Sequence, residues 1–121
     1  MIQNKENNKS STSGLQHWWH QKITAMLLLP ATLWFIFTLP KFMVLEYKEK
    51  LDWINTAPNY IILSVFFIIS GYHAKLGLTV VIEDYIHNRR YKKILITSIT
   101  VLMSLVTIMI LSFLFFKGLG K

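Results

Sequence analysis

The chain has 121 residues, 53% of them hydrophobic and only 16% charged, with a formal charge of +7. That length would hold one modest soluble core, yet the sequence carries three apolar runs, each near the length of a bilayer crossing. The positive charge lies between those runs and at the chain ends, with no basic helix or aromatic-studded basic face, which excludes nucleic acid as a partner; the absence of cysteine excludes disulfides, thiolate zinc sites and iron-sulfur ligation by this chain.

Residues 1–13 are polar, rich in Asn, Ser and Lys, and read as a flexible segment ahead of a membrane domain spanning 14–121. No apolar run followed by a small-residue cleavage site precedes the first span, so this segment does not read as a signal peptide. The first span is predicted over about 18–40, and Pro30 within it removes one backbone donor and should kink the helix. A polar loop from Lys41 to Pro58 follows, in which Lys41, Lys48 and Lys50 are balanced by Glu46, Glu49 and Asp52. The second span is predicted over about 59–82. After it comes a basic loop holding Arg89, Arg90, Lys92 and Lys93. The third span, about 94–116, runs through Ile, Leu, Val, Thr and Ser without a charge. The expected fold is therefore an all-α membrane protein of three transmembrane helices. Counting Lys and Arg near the span ends places the N-terminus and the second loop on the cytoplasmic or matrix side.

The second span carries the chemistry. His73 lies within the bilayer stretch, in the run Ser70-Gly71-Tyr72-His73-Ala74-Lys75-Leu76-Gly77, and Glu83-Asp84-Tyr85 ends it. Ionisable groups at membrane depth are costly and usually functional. On one continuous helix, His73 and Asp84 share a face about 16 Å apart along the axis. A neutral imidazole in a dry bundle is a good axial ligand for haem iron, and two of them make a low-spin b-type centre suited to electron transfer. The alternative is a buried histidine hydrogen-bonded to a neighbouring helix. Gly77, one turn further on, leaves room for a flat macrocycle, although Ser70, Ala74 and Gly77 equally form a small-residue stripe for close helix packing. His17, His20 and His87 fall short of the depth of His73, so a second axial ligand must come from another chain, either a different subunit or a second copy of this one.

Asp84 and Tyr85 lie where the helix leaves the membrane on the positive side. A tyrosine hydroxyl beside a carboxylate offers a quinone both a donor to its carbonyl oxygen and a proton route. The alternative is an interfacial tyrosine beside a helix-ending acid. Trp18 and Trp19 read as interfacial anchors. Lys75 needs a protein partner, a haem propionate or a water-filled crevice. The Arg89–Lys93 cluster reads as a topology signal with anionic-lipid contacts, or as a dock for a soluble subunit. No Gly-rich phosphate loop, nucleophile triad or paired-carboxylate site is visible.

Two segments carry a family resemblance. Gly14-Leu15-Gln16-His17-Trp18-Trp19-His20-Gln21-Lys22-Ile23-Thr24-Ala25, followed by Leu28-Leu29-Pro30, resembles the entry to the first span of the succinate dehydrogenase hydrophobic membrane-anchor family, the small subunit of cytochrome b556. His73-Ala74-Lys75-Leu76-Gly77 through Glu83-Asp84-Tyr85-Ile86-His87 resembles that family's second-span signature. With three spans and a matching length, the resemblance covers nearly the whole chain. It implies a subunit that is not catalytic alone. It also implies that His73 is an axial ligand of haem b shared with the large cytochrome b556 anchor subunit, and that Tyr85 and, more weakly, Asp84 contact ubiquinone. The remaining partners would be an iron-sulfur subunit, a flavoprotein that oxidises succinate, and the lipid of an energy-transducing inner membrane. Lys22 departs from the family's usual arginine and loses the planar fork of a bidentate contact. A fumarate reductase anchor would share haem and quinone but work in the opposite direction. A helical scaffold or transporter component without a redox centre is the reading from another class.

Overall fold

The computed structural model describes residues 2–119, with side chains from Gly14 to Lys117. The flexible segment expected over 1–13 lies outside the residues whose side chains are described. Four helices follow one another: α1 (Ile2–Val44), α2 (Tyr47–Asn55), α3 (Ala57–Tyr85) and α4 (Arg89–Leu119). Three stretches are long and apolar enough to cross a membrane, Gly14–Val44, Ala57–Tyr85 and Arg89–Lys117. At 1.5 Å per residue, a helix of 29 residues is about 43 Å long, so it outruns about 30 Å of hydrocarbon and its ends reach the headgroups. The three expected spans are thus present, each longer than its apolar run. Helix α1 continues through both Pro30 and Pro40.

Helix α3 is the middle of the assembly, packed by α1 on one side and α4 on the other. Its pairing with α1 is antiparallel, as Thr24 meets His73 and Phe35 stacks on Phe66 with ring centroids 5.0 Å apart. Toward α4 the helices come close at Gly71, where an added Cβ would fall 2.5 Å from Thr107 Oγ1. That hydroxyl is tied down, since it donates to the carbonyl of Met103 at 2.8 Å. Gly71 is therefore the small residue that sets the α3–α4 distance. The stripe of Ser70, Ala74 and Gly77 does not share that role at Gly77, where a Cβ would face Gln21 Nε2 of α1 at an ordinary 3.9 Å.

The loop expected between Lys41 and Pro58 holds a short helix. In α2 the backbone N–H of Glu46 donates to the Glu49 carboxylate at 2.9 Å, so the helix start is closed by its own third residue. Leu51, Trp53 and Ile54 are half-buried, while Lys48, Glu49 and Asp52 face outward. The indole of Trp53 stacks on Trp34 at 6.0 Å and tilts against Phe42 at 5.1 Å. With Phe67 and Leu114 these rings enclose an apolar pocket of about 300 Å³ at the α2 end. Pro58 stands in the first turn of α3, where its missing N–H costs nothing.

At the opposite end, Asn88 caps α4. Its Oδ1 accepts from the N–H of Arg90 at 3.0 Å and of Tyr91 at 3.3 Å. Lys92 reaches back to the Glu83 carbonyl at 3.0 Å and covers part of the C-terminal end of α3. Four cations in the first turn of a helix oppose its dipole. A surface rule for helices would not put them there; the rule for loops on the positive side of a membrane does.

Among the described residues the buried side chains are few: Leu63, Leu76, Ile82, Leu114, Thr24 and Thr79. Large apolar residues on all three long helices face outward. No water-soluble chain leaves so much apolar surface bare. This is a multi-pass membrane protein, and its apolar outer faces suit lipid.

Candidate functional site

The site begins with the pairing of α1 and α3. Thr24 is nearly buried, 8% exposed, one third of the way along the described part of α1. Its hydroxyl oxygen lies 2.8 Å from Nδ1 of His73, 49 residues away in the chain. The same oxygen is 2.9 Å from the His20 carbonyl and 3.1 Å from the Gln21 carbonyl. Thr38, Ser64, Thr79, Thr100 and Thr107 all turn their hydroxyls back onto their own helices. Among the described residues Thr24–His73 is the one side-chain to side-chain hydrogen bond between helices.

His73 itself is half-buried. Its Nε2 takes no hydrogen bond among the described residues, nor is it one of the buried atoms lacking a partner, a set that holds Asn55 Oδ1 alone. One ring nitrogen is thus anchored to the neighbouring helix, while Nε2 is unengaged and not fully buried. Among the described residues His, Asp and Glu nowhere gather in threes.

Of the other histidines, His20 comes nearer the level of His73 than the sequence suggests, packing against Tyr72, the chain neighbour of His73. His20 lies one turn before Thr24, its Nδ1 2.8 Å from the Gln16 carbonyl, and its ring meets Tyr72 edge-on at 6.5 Å. His87 lies in the link after α3, beyond the span. Lys22 rests its ammonium 4.4 Å from the ring centre of Trp18, a cation over an aromatic face at the membrane entry. Lys75 lines a cleft of about 330 Å³ between α3 and α4, together with Thr100, Ser104 and Thr107.

Asp84 and Tyr85 end α3, and both are exposed, Tyr85 by 78%. Neither side chain makes a hydrogen bond among the described residues. Helix α3 runs unbroken from Ala57 to Tyr85, so the axial separation of about 16 Å between His73 and Asp84 stands. The helix thus carries its histidine inside the apolar zone and its acid and phenol at the basic end, beside Arg89, Arg90, Lys92 and Lys93.

Sequence reasoning gave no role to Thr24, Gly71 or Thr107. A signal for Thr24 existed: in an antiparallel pair, counting inward from the two basic ends brings the lone hydroxyl of the first span's inner half level with His73. Nothing comparable marked Gly71, because a glycine in a span announces close approach only once its neighbour is known.

Comparison with known proteins agrees with this architecture. The family of succinate dehydrogenase/fumarate reductase transmembrane subunits matches residues 4–114. The succinate dehydrogenase hydrophobic membrane anchor subunit of Rickettsia bellii is 33% identical over 120 residues, covering 93% of this chain and 90% of the relative. Its counterpart in Rickettsia conorii is 34% identical over 123 residues with the same coverage. The succinate dehydrogenase membrane anchor subunit of Reclinomonas americana is 30% identical over 93 residues, covering 74% and 78%. No solved structure matches. A match over nearly the whole length, on a bundle of three membrane-crossing helices, means that the chain belongs to the succinate dehydrogenase/fumarate reductase transmembrane-subunit family, as a non-catalytic membrane anchor.

Proposed function

We propose that this chain holds the soluble part of a succinate:ubiquinone oxidoreductase against an energy-transducing inner membrane, supplies one axial ligand to haem b and forms part of the quinone site. The observation that carries the proposal is His73, whose Nδ1 is bound to Thr24 of α1 while Nε2 takes no hydrogen bond among the described residues. Those residues fit a haem iron shared with a second chain, the large cytochrome b556 subunit. When bound, haem supplies reversible one-electron transfer at its iron.

Everything else is the work of this chain's own side chains. The apolar faces of α1 and α3 around His73 keep water away from the imidazole. Gly77 keeps the next turn clear of bulk. At the basic end, Tyr85 donates its hydroxyl proton to a quinone carbonyl oxygen, and Asp84 beside it accepts and passes protons from the aqueous side. Both groups are exposed, which leaves them open to a headgroup and to a partner subunit. The N-terminus and the Arg89–Lys93 cluster face the cytoplasm or matrix, where anionic lipid and the iron-sulfur and flavoprotein subunits lie. Lys22, which rests on Trp18, keeps the charge of the family's usual arginine but not its planar fork.

The test is a dithionite-reduced minus oxidised absorbance spectrum of the complex drawn from native membranes through a tag on this chain, with its partners resolved on a gel. A b-type band with a large flavoprotein, an iron-sulfur subunit and a second small membrane chain is the expected result. A complex with neither haem nor flavoprotein would return His73 to packing and favour a scaffold or transporter component. The matching family includes fumarate reductase subunits, and assaying succinate oxidation and fumarate reduction on the same sample decides direction.

A further inference from the structure

We infer that Thr24 is a positioning residue for His73, fixing which imidazole nitrogen carries the proton and how the ring is turned; this rests on His73 being an axial ligand. The argument is a count of protons. Three atoms lie within hydrogen-bond reach of Thr24 Oγ1: the carbonyl oxygens of His20 and Gln21, at 2.9 and 3.1 Å, and Nδ1 of His73, at 2.8 Å. A hydroxyl owns one proton and two lone pairs, and a carbonyl oxygen only accepts. The Thr24 proton therefore goes back to the α1 backbone, shared between the two carbonyls. Its lone pair is left to accept from Nδ1, so Nδ1 carries the hydrogen and Nε2 keeps its lone pair. The other assignment, with the hydroxyl donating to Nδ1, would leave both carbonyl contacts without a proton and put the ring's hydrogen on Nε2, where it would block ligation.

The surroundings make this arrangement stiff. Thr24 is nearly buried against α3, so water does not compete for its oxygen. Threonine is also held in few rotamers on a helix, and here the bond to its own preceding turn selects one. Because its proton is drawn toward the backbone, the oxygen becomes a better acceptor, which pulls the Nδ1 hydrogen and enriches the ring in electron density. A more electron-rich ligand favours the oxidised iron. Thr24 thereby acts on the potential of the centre from the inner side of His73, though it never touches the metal.

The experiment uses the complete complex in its native membrane, with Thr24→Val, Thr24→Ala and Thr24→Ser compared to wild type. Haem content, the midpoint potential and the electron paramagnetic resonance of the oxidised centre are the readouts. Valine and alanine should raise the potential and move the low-spin resonance, while serine, which keeps the hydroxyl, should restore both toward wild type. On the wild-type complex, the redox-difference infrared spectrum with nitrogen-15 histidine should show a ring mode of an Nδ1–H hydrogen-bonded to a neutral acceptor, and this reading holds even if a variant fails to assemble. A free Nδ1–H mode, or Val and Ala variants indistinguishable from wild type in potential and resonance, overturns the role of Thr24. A His73→Ala complex with an unaltered haem spectrum instead overturns the ligand reading beneath it, so the two failures are separable.

Discussion

Toward α1, helix α3 presents His73, held at 2.8 Å by a hydroxyl from the other helix. Toward α4 it presents Gly71, where a single methyl group would strike Thr107 at 2.5 Å. The first contact is polar and directional, and it leaves one ring nitrogen unengaged. The second is purely steric, and the hydroxyl involved is already bonded to its own helix. In lipid no hydrophobic force drives helices together, so close packing and a few interhelical hydrogen bonds have to do so. This chain uses close packing where α3 meets α4 and a hydrogen bond where α3 meets α1. The difference teaches that α3 meets its two neighbours by different means, a directional hydrogen bond toward α1 and steric fit toward α4.

The sharpest way to break the comparison is His73→Ala. The b-type spectrum of the purified complex should change or vanish, and an unaltered spectrum would show the two faces to be equally structural. Next in size is Gly71→Leu, which should lower the thermal stability of the detergent-solubilised complex by about 1–3 kcal/mol through overpacking, with the haem ligand left in place. In the Gly71→Ala and Thr107→Ala pair the double variant should recover much of what Gly71→Ala alone loses, because the clash is with Oγ1; simple additivity in a double-mutant cycle would mean that the helices part without penalty.

Smaller effects sharpen the contrast between the middle of α3 and its basic end. Tyr85→Phe should lower quinone reductase turnover several-fold, as befits one lost hydrogen bond of about 1 kcal/mol, while haem content stays intact. Unchanged turnover would place Tyr85 in the ordinary aromatic belt. Least of all, Asn88→Ala should cost about 0.5–1 kcal/mol by removing the acceptor for two N–H groups of α4, seen as faster proteolysis of the 86–92 link. A loss as large as that of Gly71→Leu would mean that the link, and not the glycine contact, holds α4 to α3.

Much of this could be read along one dimension. Three spans follow from run length, because crossing hydrocarbon needs about 20 apolar residues whatever the neighbours are. The sites of His73, Asp84 and Tyr85 on one helix follow too, since 1.5 Å per residue converts position into depth. Helix α2 was not legible in that way: Tyr47–Asn55 is short and charged, and it becomes a helix through the Glu46–Glu49 closure and the stacking of Trp53 on Trp34. Short polar helices have weak intrinsic stability, so tertiary contact decides them.

What the sequence determined by itself is the membrane class, the number of spans and the basic end. It did so because the bilayer acts as a solvent on each segment separately. Only the tertiary structure decided that Thr24 meets His73, that Gly71 meets Thr107, and that Lys75 and His73 face different neighbours. Those facts depend on the register and rotation of one helix against another, which side-chain shape and hydrogen-bond geometry set across the interface.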